Sequence, residues 1–161
     1  MVTYIVIAPD GQLNLRTGPA SYEALRDEVG EPGYAQVTLH GTPGARAFVN
    51  DCGHVLTPPL DRNPIGACVV WCLGASAQAY AGPIVITGWV PLIGDTTDLD
   101  DAMATAVIAM HGSVWRDLHS DNPSKDLGGY AEWVRTSPAP TARVLTGAEA
   151  LAHLRSLGRD L

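Results

Sequence analysis

A chain of 161 residues that is 46% apolar and 17% charged has the size and composition of one ordinary folded domain, which excludes general disorder. Its apolar runs are broken by Gly, Pro or polar residues well before the roughly 20 residues that a membrane-spanning helix requires, so no membrane association is expected. Ten Lys and Arg against seventeen Asp and Glu leave a formal charge of −7, which argues against binding a nucleic-acid backbone over a broad basic face.

The first ten residues, Met1 to Asp10, carry no basic stretch and reach a turn too early for a secretory signal. The three cysteines, an odd number, are then read as reduced thiols in a cytoplasmic protein. Tyr4-Ile5-Val6-Ile7 reads as a buried strand and Pro9-Asp10-Gly11 as a turn, with Leu13-Asn14-Leu15-Arg16 as the half-exposed return arm of a hairpin. Ser21 caps a two-turn helix on which Tyr22, Leu25 and Val29 share a face, and Gly30 ends it. A second hairpin pairs Tyr34–Leu39 with Ala45–Val49 around Gly41-Thr42-Pro43-Gly44.

Asn63-Pro64 is a helix start with a mechanism: the Asn side chain accepts from an orphan N–H, and Pro at the first helical position gives up an N–H that lacks a partner anyway. That helix is predicted over Ile65–Leu73, stopping at Gly74, and Ile84-Val85-Ile86-Thr87 reads as a buried strand ending at Gly88. The order β-β-α-β-β-α-β implies an α+β fold with a mostly antiparallel sheet.

The hairpin, the acidic helix ending in Val29-Gly30, the strand pair, Asn50-Asp51-Cys52-Gly53, the Pro-rich turn, Asn63-Pro64-Ile65-Gly66-Ala67 and Gly82-Pro83-Ile84-Val85-Ile86-Thr87-Gly88 together resemble domain-of-unknown-function family 3846 over roughly residues 3–90. That family occurs in phages, plasmids and related bacterial loci, so the resemblance implies a genetic setting and no reaction. Two departures are the unusually apolar cysteine-bearing helix and a last stretch of the chain with no counterpart.

Beyond residue 94 the patterns are helical. Thr97-Asp98-Leu99-Asp100 resembles a capping box opening a helix with the stripe Leu99, Met103, Ala106, Val107 and Met110, and Gly112 is its natural stop. Ser120–Lys125 reads as a surface loop, and Gly129–Arg135 as a short helix. Thr146-Gly147-Ala148-Glu149 is a second capping box, with Leu145 as a staple and Leu151, Leu154 and Leu157 as an apolar face before Gly158. The expectation is an α+β core over residues 1–94 and a helical extension over 95–161, packed on one sheet face as a single globular unit. Val6, Val37, Leu39, Val49, Val85 and Ile86 offer more apolar surface than the two early helices can cover. Binding is expected where a late loop, residues 113–135, borders the sheet.

Phosphate loops, dinucleotide fingerprints, His-Glu-x-x-His and Cys-x-x-Cys are absent from the sequence, and Gly74-Ala75-Ser76-Ala77-Gln78 lacks the second Gly of a nucleophile elbow. Asp95, Asp98, Asp100 and Asp101 lack the Gly and distal Glu of a calcium loop and read as helix-capping acids. Cys52, His54, Cys68 and Cys72 form the metal candidate, a donor set suited to tetrahedral zinc, although cysteines on an apolar helix also pack as small hydrophobes. Cys52 and His54 are also a candidate nucleophile pair. His111, Asp117, His119 and Asp121 are the candidates for acid–base work or a divalent metal, set against His111 simply favouring a helix C-terminus. Trp115, Tyr130 and Trp133 are the candidate binding aromatics. The reading is a non-catalytic accessory protein of a mobile genetic element, without a cofactor, that binds a protein or small-molecule ligand. The alternatives are an antirestriction inhibitor acting as an acidic mimic, and a small metal-dependent hydrolase using the His111–Asp121 region.

Overall fold

The computed structural model describes residues 2–138 and 146–156. Its strands are β1 (Val2–Ile7), β2 (Leu13–Gly18), β3 (Tyr34–Thr38), β4 (Ala45–Asn50), β5 (Ile84–Val90) and β6 (Asp95–Thr97). Its helices are α1 (Tyr22–Val29), α2 (Pro64–Cys72), α3 (Asp101–Leu118), α4 (Lys125–Thr136) and α5 (Gly147–Ser156). The strands form one antiparallel sheet in the order β2-β1-β5-β4-β3, and β6 adds to the far end of β5. The architecture is α+β, and no helix of the described residues is long and apolar enough to cross a membrane.

The period of two along each strand divides the apolar side chains between two faces. Ile5, Ile7, Val37, Leu39, Val49, Ile84 and Ile86 point to one side, where α2 lies on the sheet and α3 and α4 pack against α2. Tyr4, Val6, Phe48 and Val85 point to the other and are covered by Leu25 and Val29 of α1. Val6 and Val85, expected beneath the C-terminal helices, therefore lie on the α1 face. The larger core joins Cys68, Val69 and Val70 of α2 to Val107 and Val114 of α3 and Ala131 and Val134 of α4. The N-terminal sheet and helices α3 and α4 thus share one apolar interior.

Asn63 caps α2 as its sequence requires, accepting from the Gly66 N–H at 2.9 Å. Its amide also donates to the Ile7 and Gly82 carbonyls, each at 2.9 Å, which anchors the helix start to the ends of β1 and of the strand-side turn. At the other end Gly74, at φ 97°, lets the chain reverse beside His40 and Gly41.

Several expectations are corrected. β5 runs through Gly88 to Val90, because Gly88 is a point of close approach: a Cβ there would strike the Asp98 carbonyl and the Thr97 hydroxyl of the adjoining chain. Asp100, not Thr97, caps α3, accepting from the Met103 N–H at 2.8 Å, because Thr97 is committed to β6. Finally, α3 continues through Gly112 to Leu118, since Val114 beyond the glycine is buried in the core and outweighs the glycine's weak helix propensity. Residues 113–135 are accordingly the end of α3, a short exposed turn and most of α4, not a loop. Ala106, placed in the apolar stripe, is exposed, whereas Leu99, Met103, Val107 and Met110 do face the core. Tyr22 is 56% exposed and packs on Tyr34 instead of the core. Leu145, Leu157 and Gly158 lie outside the described residues, and α5 begins at Gly147 as the capping box predicts.

Candidate functional site

Among the described residues, the helix-bearing face of the sheet is not covered to its edge. Strand β3 pairs only with β4 among the described residues, and its residue Ala35, opposite Val49, is left open to solvent. Around these two side chains lies a cleft of about 690 Å³ walled by Asn50, Asp51 and His54 after β4, by residues 77–81 and by Trp133, Ser137 and Pro138 at the end of α4. Its lining is largely alanine, valine and aromatic surface, the make-up of a ligand site.

Each wall has a local cause. The Asn50 amide donates to the carbonyls of Val29, Gly30 and Glu31 at 2.9–3.1 Å and its oxygen accepts from the Cys52 N–H at 2.9 Å, so this side chain is saturated and structural. The segment 77–81 is held by Tyr130, whose hydroxyl accepts from the Gln78 N–H at 3.0 Å and donates to the Gln78 carbonyl at 2.8 Å. Arg62 clamps the end of α4, donating to the Val134 carbonyl (2.9 Å), the Ser137 hydroxyl (2.8 Å) and the Ser137 carbonyl (2.6 Å). A guanidinium at a helix C-terminus also suits the negative end of the dipole. Trp133 stacks on Tyr130 with centroids 5.9 Å apart, and 47% of it stays exposed at the cleft rim.

His54 is the titratable ring of the cleft. Burial lowers its pKa below the ordinary imidazole value, the Arg62 charge lowers it further and the Ala79 backbone opposes both. The ring is held neutral near pH 7, with a buried Nδ1 that has no hydrogen-bond partner among the described residues. The neighbouring Cys52 thiol is pushed up, by desolvation first and by Asp51 second. These directions favour a neutral thiol beside a neutral imidazole, the reverse of the thiolate–imidazolium arrangement that an activated cysteine needs.

The structure does not assemble the zinc candidate. Cys68 is buried against the Leu127 carbonyl in the α2–α4 seam, and burial first, then Cys72, pushes its thiol up to about 12. Cys72 is exposed on α2, and Cys52 and His54 belong to the segment after β4. Among the described residues no three His, Cys, Asp or Glu side chains are grouped to hold a metal.

The second candidate set is likewise dispersed. His111 is bonded through Nε2 to the Gly11 carbonyl at 2.7 Å, well inside α3 and not at its end. His119 bonds the Trp115 carbonyl at 2.8 Å and stacks on Trp115 at 4.2 Å. Asp117 accepts from the Ser124 N–H and hydroxyl at 2.9–3.2 Å, fastening α3 to the start of α4, and Asp121 is exposed in the turn between them. Of the three aromatics, Tyr130 is buried and positions the cleft wall, Trp133 lines the cleft, and Trp115 lies elsewhere, in a shallow hollow of about 330 Å³ with Gln12, His111 and Arg116.

Sequence reasoning singled out His54 and Trp133 but not Ala35, Val49, Arg62 or residues 77–81. The run Ala75-Ser76-Ala77-Gln78-Ala79-Tyr80-Ala81 bears almost no reactive groups, and its signal was its small-residue composition after a glycine stop. Compared with known proteins, the chain matches no family model, and no curated protein or solved structure is similar to it.

Proposed function

We propose that this chain is a non-catalytic binding protein, and that its cleft takes an apolar segment of a protein partner. The observation that carries the reading is the uncovered end of edge strand β3: Ala35 and Val49 floor an apolar cleft whose rim offers the half-exposed ring of Trp133. An extended segment laid there buries alternate side chains in the cleft while its backbone runs beside strand groups that β4 leaves free, a combination that gives affinity through the main chain and selectivity through the pocket. The strand itself, Tyr34-Ala35-Gln36-Val37-Thr38, carries none of the charges or prolines that usually blunt an open edge.

Titration with the peptide acetyl-Ala-Leu-Ala-Leu-Ala-amide, followed by two-dimensional amide NMR, tests this. Shifts are expected at Ala35, Val49, residues 78–81 and the Trp133 indole, with Trp133→Ala weakening binding by about tenfold, or ~1.4 kcal/mol. No shifts, or shifts confined to other surfaces, overturn the reading. So does turnover of any substrate that is lost on His54→Gln. The setting proposed with it, an accessory protein of a mobile genetic element, rests on the resemblance over residues 3–90, and the neighbouring genes test it.

A further inference from the structure

Among the described residues, the largest exposed apolar feature lies at the other end of the sheet. Strands β5 and β6 turn through Pro91-Leu92-Ile93-Gly94, and the turn is closed by the Ile93 and Gly94 N–H groups donating to the Val90 carbonyl at 3.3 and 2.9 Å, with Gly94 at φ 63°. Leu92 is 97% exposed and Ile93 71%, whereas the other exposed large apolar side chains among the described residues are at most 56% exposed and none is a sequence neighbour of another. An ordered turn that holds two adjacent branched side chains in water is a surface awaiting a partner.

We propose that this tip enters the Ala35–Trp133 cleft of a second copy of the chain, an inference that rests on the reading of the cleft as a binding site. The tip is convex and apolar, and the cleft is concave, apolar and, among the described residues, open. The tip cannot reach its own cleft. Ile84, at the start of β5, pairs with Val49 in the cleft floor, and the seven residues of β5 carry the chain roughly 20 Å away before the turn begins.

Charge agrees with this pairing. Asp95 follows the tip directly and has no ion pair among the described residues. Beside the cleft, Arg62 donates to carbonyl and hydroxyl oxygens and, among the described residues, forms no ion pair. Asp51 also lines the cleft, and its charge disfavours any approach that brings Asp95 beside it. The contact is heterologous: each copy gives a tip and receives one, so assembly proceeds head to tail. One tip in one cleft covers less than the ~1,200 Å² of a standard stable interface, which makes the association weak and concentration-dependent.

Sedimentation equilibrium up to millimolar protein tests the proposal. The weight-average mass of the wild type is expected to rise with concentration. The tip variant Leu92→Asp with Ile93→Asp, and the cleft variant Ala35→Arg, should each stay monomeric, weakened at least tenfold, while melting as the wild type does. Mixed together, the two variants should recover a single contact, one intact tip in one intact cleft, and stop at two chains. A wild type that remains monomeric overturns the proposal, as does association that survives either variant or a mixture that fails to pair. The peptide titration reads the cleft without the tip. A peptide that binds a monomeric wild type sinks only self-association, and a peptide that fails together with it sinks both readings.

Discussion

The hydroxyl of Tyr130 on α4 meets both backbone polar groups of Gln78, accepting from its N–H at 3.0 Å and donating to its carbonyl at 2.8 Å. One side chain thereby replaces the strand that would otherwise pair with this segment, and it joins the helix that carries Trp133 to the wall that faces it. Burial pushes the Tyr130 phenol up to about 12, so the group remains a donor throughout the neutral range.

Tyr130→Phe keeps the ring in the core and removes both bonds. The Gln78 peptide group is only part-buried, so losing the two bonds costs about 1 kcal/mol or somewhat more, and the denaturation midpoint is expected to fall accordingly. Hydrogen exchange at Gln78 should accelerate more than exchange in β5. If Gln78 exchange is unchanged, the hydroxyl does not hold the wall.

Asn63 is a stricter case, since it is fully buried and makes its three bonds to Ile7, Gly82 and Gly66. Asn63→Ala removes a helix cap and orphans two carbonyls, and a loss of about 3 kcal/mol or more is expected by urea unfolding. Asn63→Ser can restore the cap but not the reach to Ile7 and Gly82, so it should recover only the cap's ~1 kcal/mol.

How much could be read from the chain follows from where these interactions lie. Asn63-Pro64 announced α2 because a cap and its first turn are contiguous in sequence, and the continuous apolar run Tyr4–Ile7 announced a buried strand. Gly88 and Gly112 misled because the same residue type serves three purposes: stopping a helix, admitting a neighbouring chain, or sitting in a helix at a modest cost. Only the long-range surroundings choose among them, the Asp98 backbone in the first case and the buried Val114 in the second. The candidate site was legible only at His54 and Trp133. Its floor and far wall are alanines and a valine, which carry no chemistry and are drawn together by the Gln78–Tyr130 bonds across fifty-two positions of sequence.

The two glycines therefore make opposed predictions. A Cβ at Gly112 meets nothing within 4 Å, so Gly112→Ala should stabilise the protein by about 0.5–1 kcal/mol through helix propensity. Gly88→Ala must push β6 off β5 and displace the start of α3, and is expected to lower the melting midpoint strongly. A Gly112→Ala variant that melts lower than the wild type would contradict the course of α3.

The pH dependence of stability should carry the mark of His54. Its folded pKa is below the ordinary value of about 6.5, so near and below that pH the unfolded chain binds more protons than the folded one. Stability from this group is then undiminished above pH ~6.5, declines as the pH falls from there toward the folded pKa, and levels off below it. The decline arises from burial of the imidazolium first and from the Arg62 charge second. His54→Gln, which keeps a polar side chain without a titrating ring, should flatten the urea midpoint measured between pH 7.5 and 5. Equal slopes for the wild type and His54→Gln would show that the cleft does not hold this ring neutral.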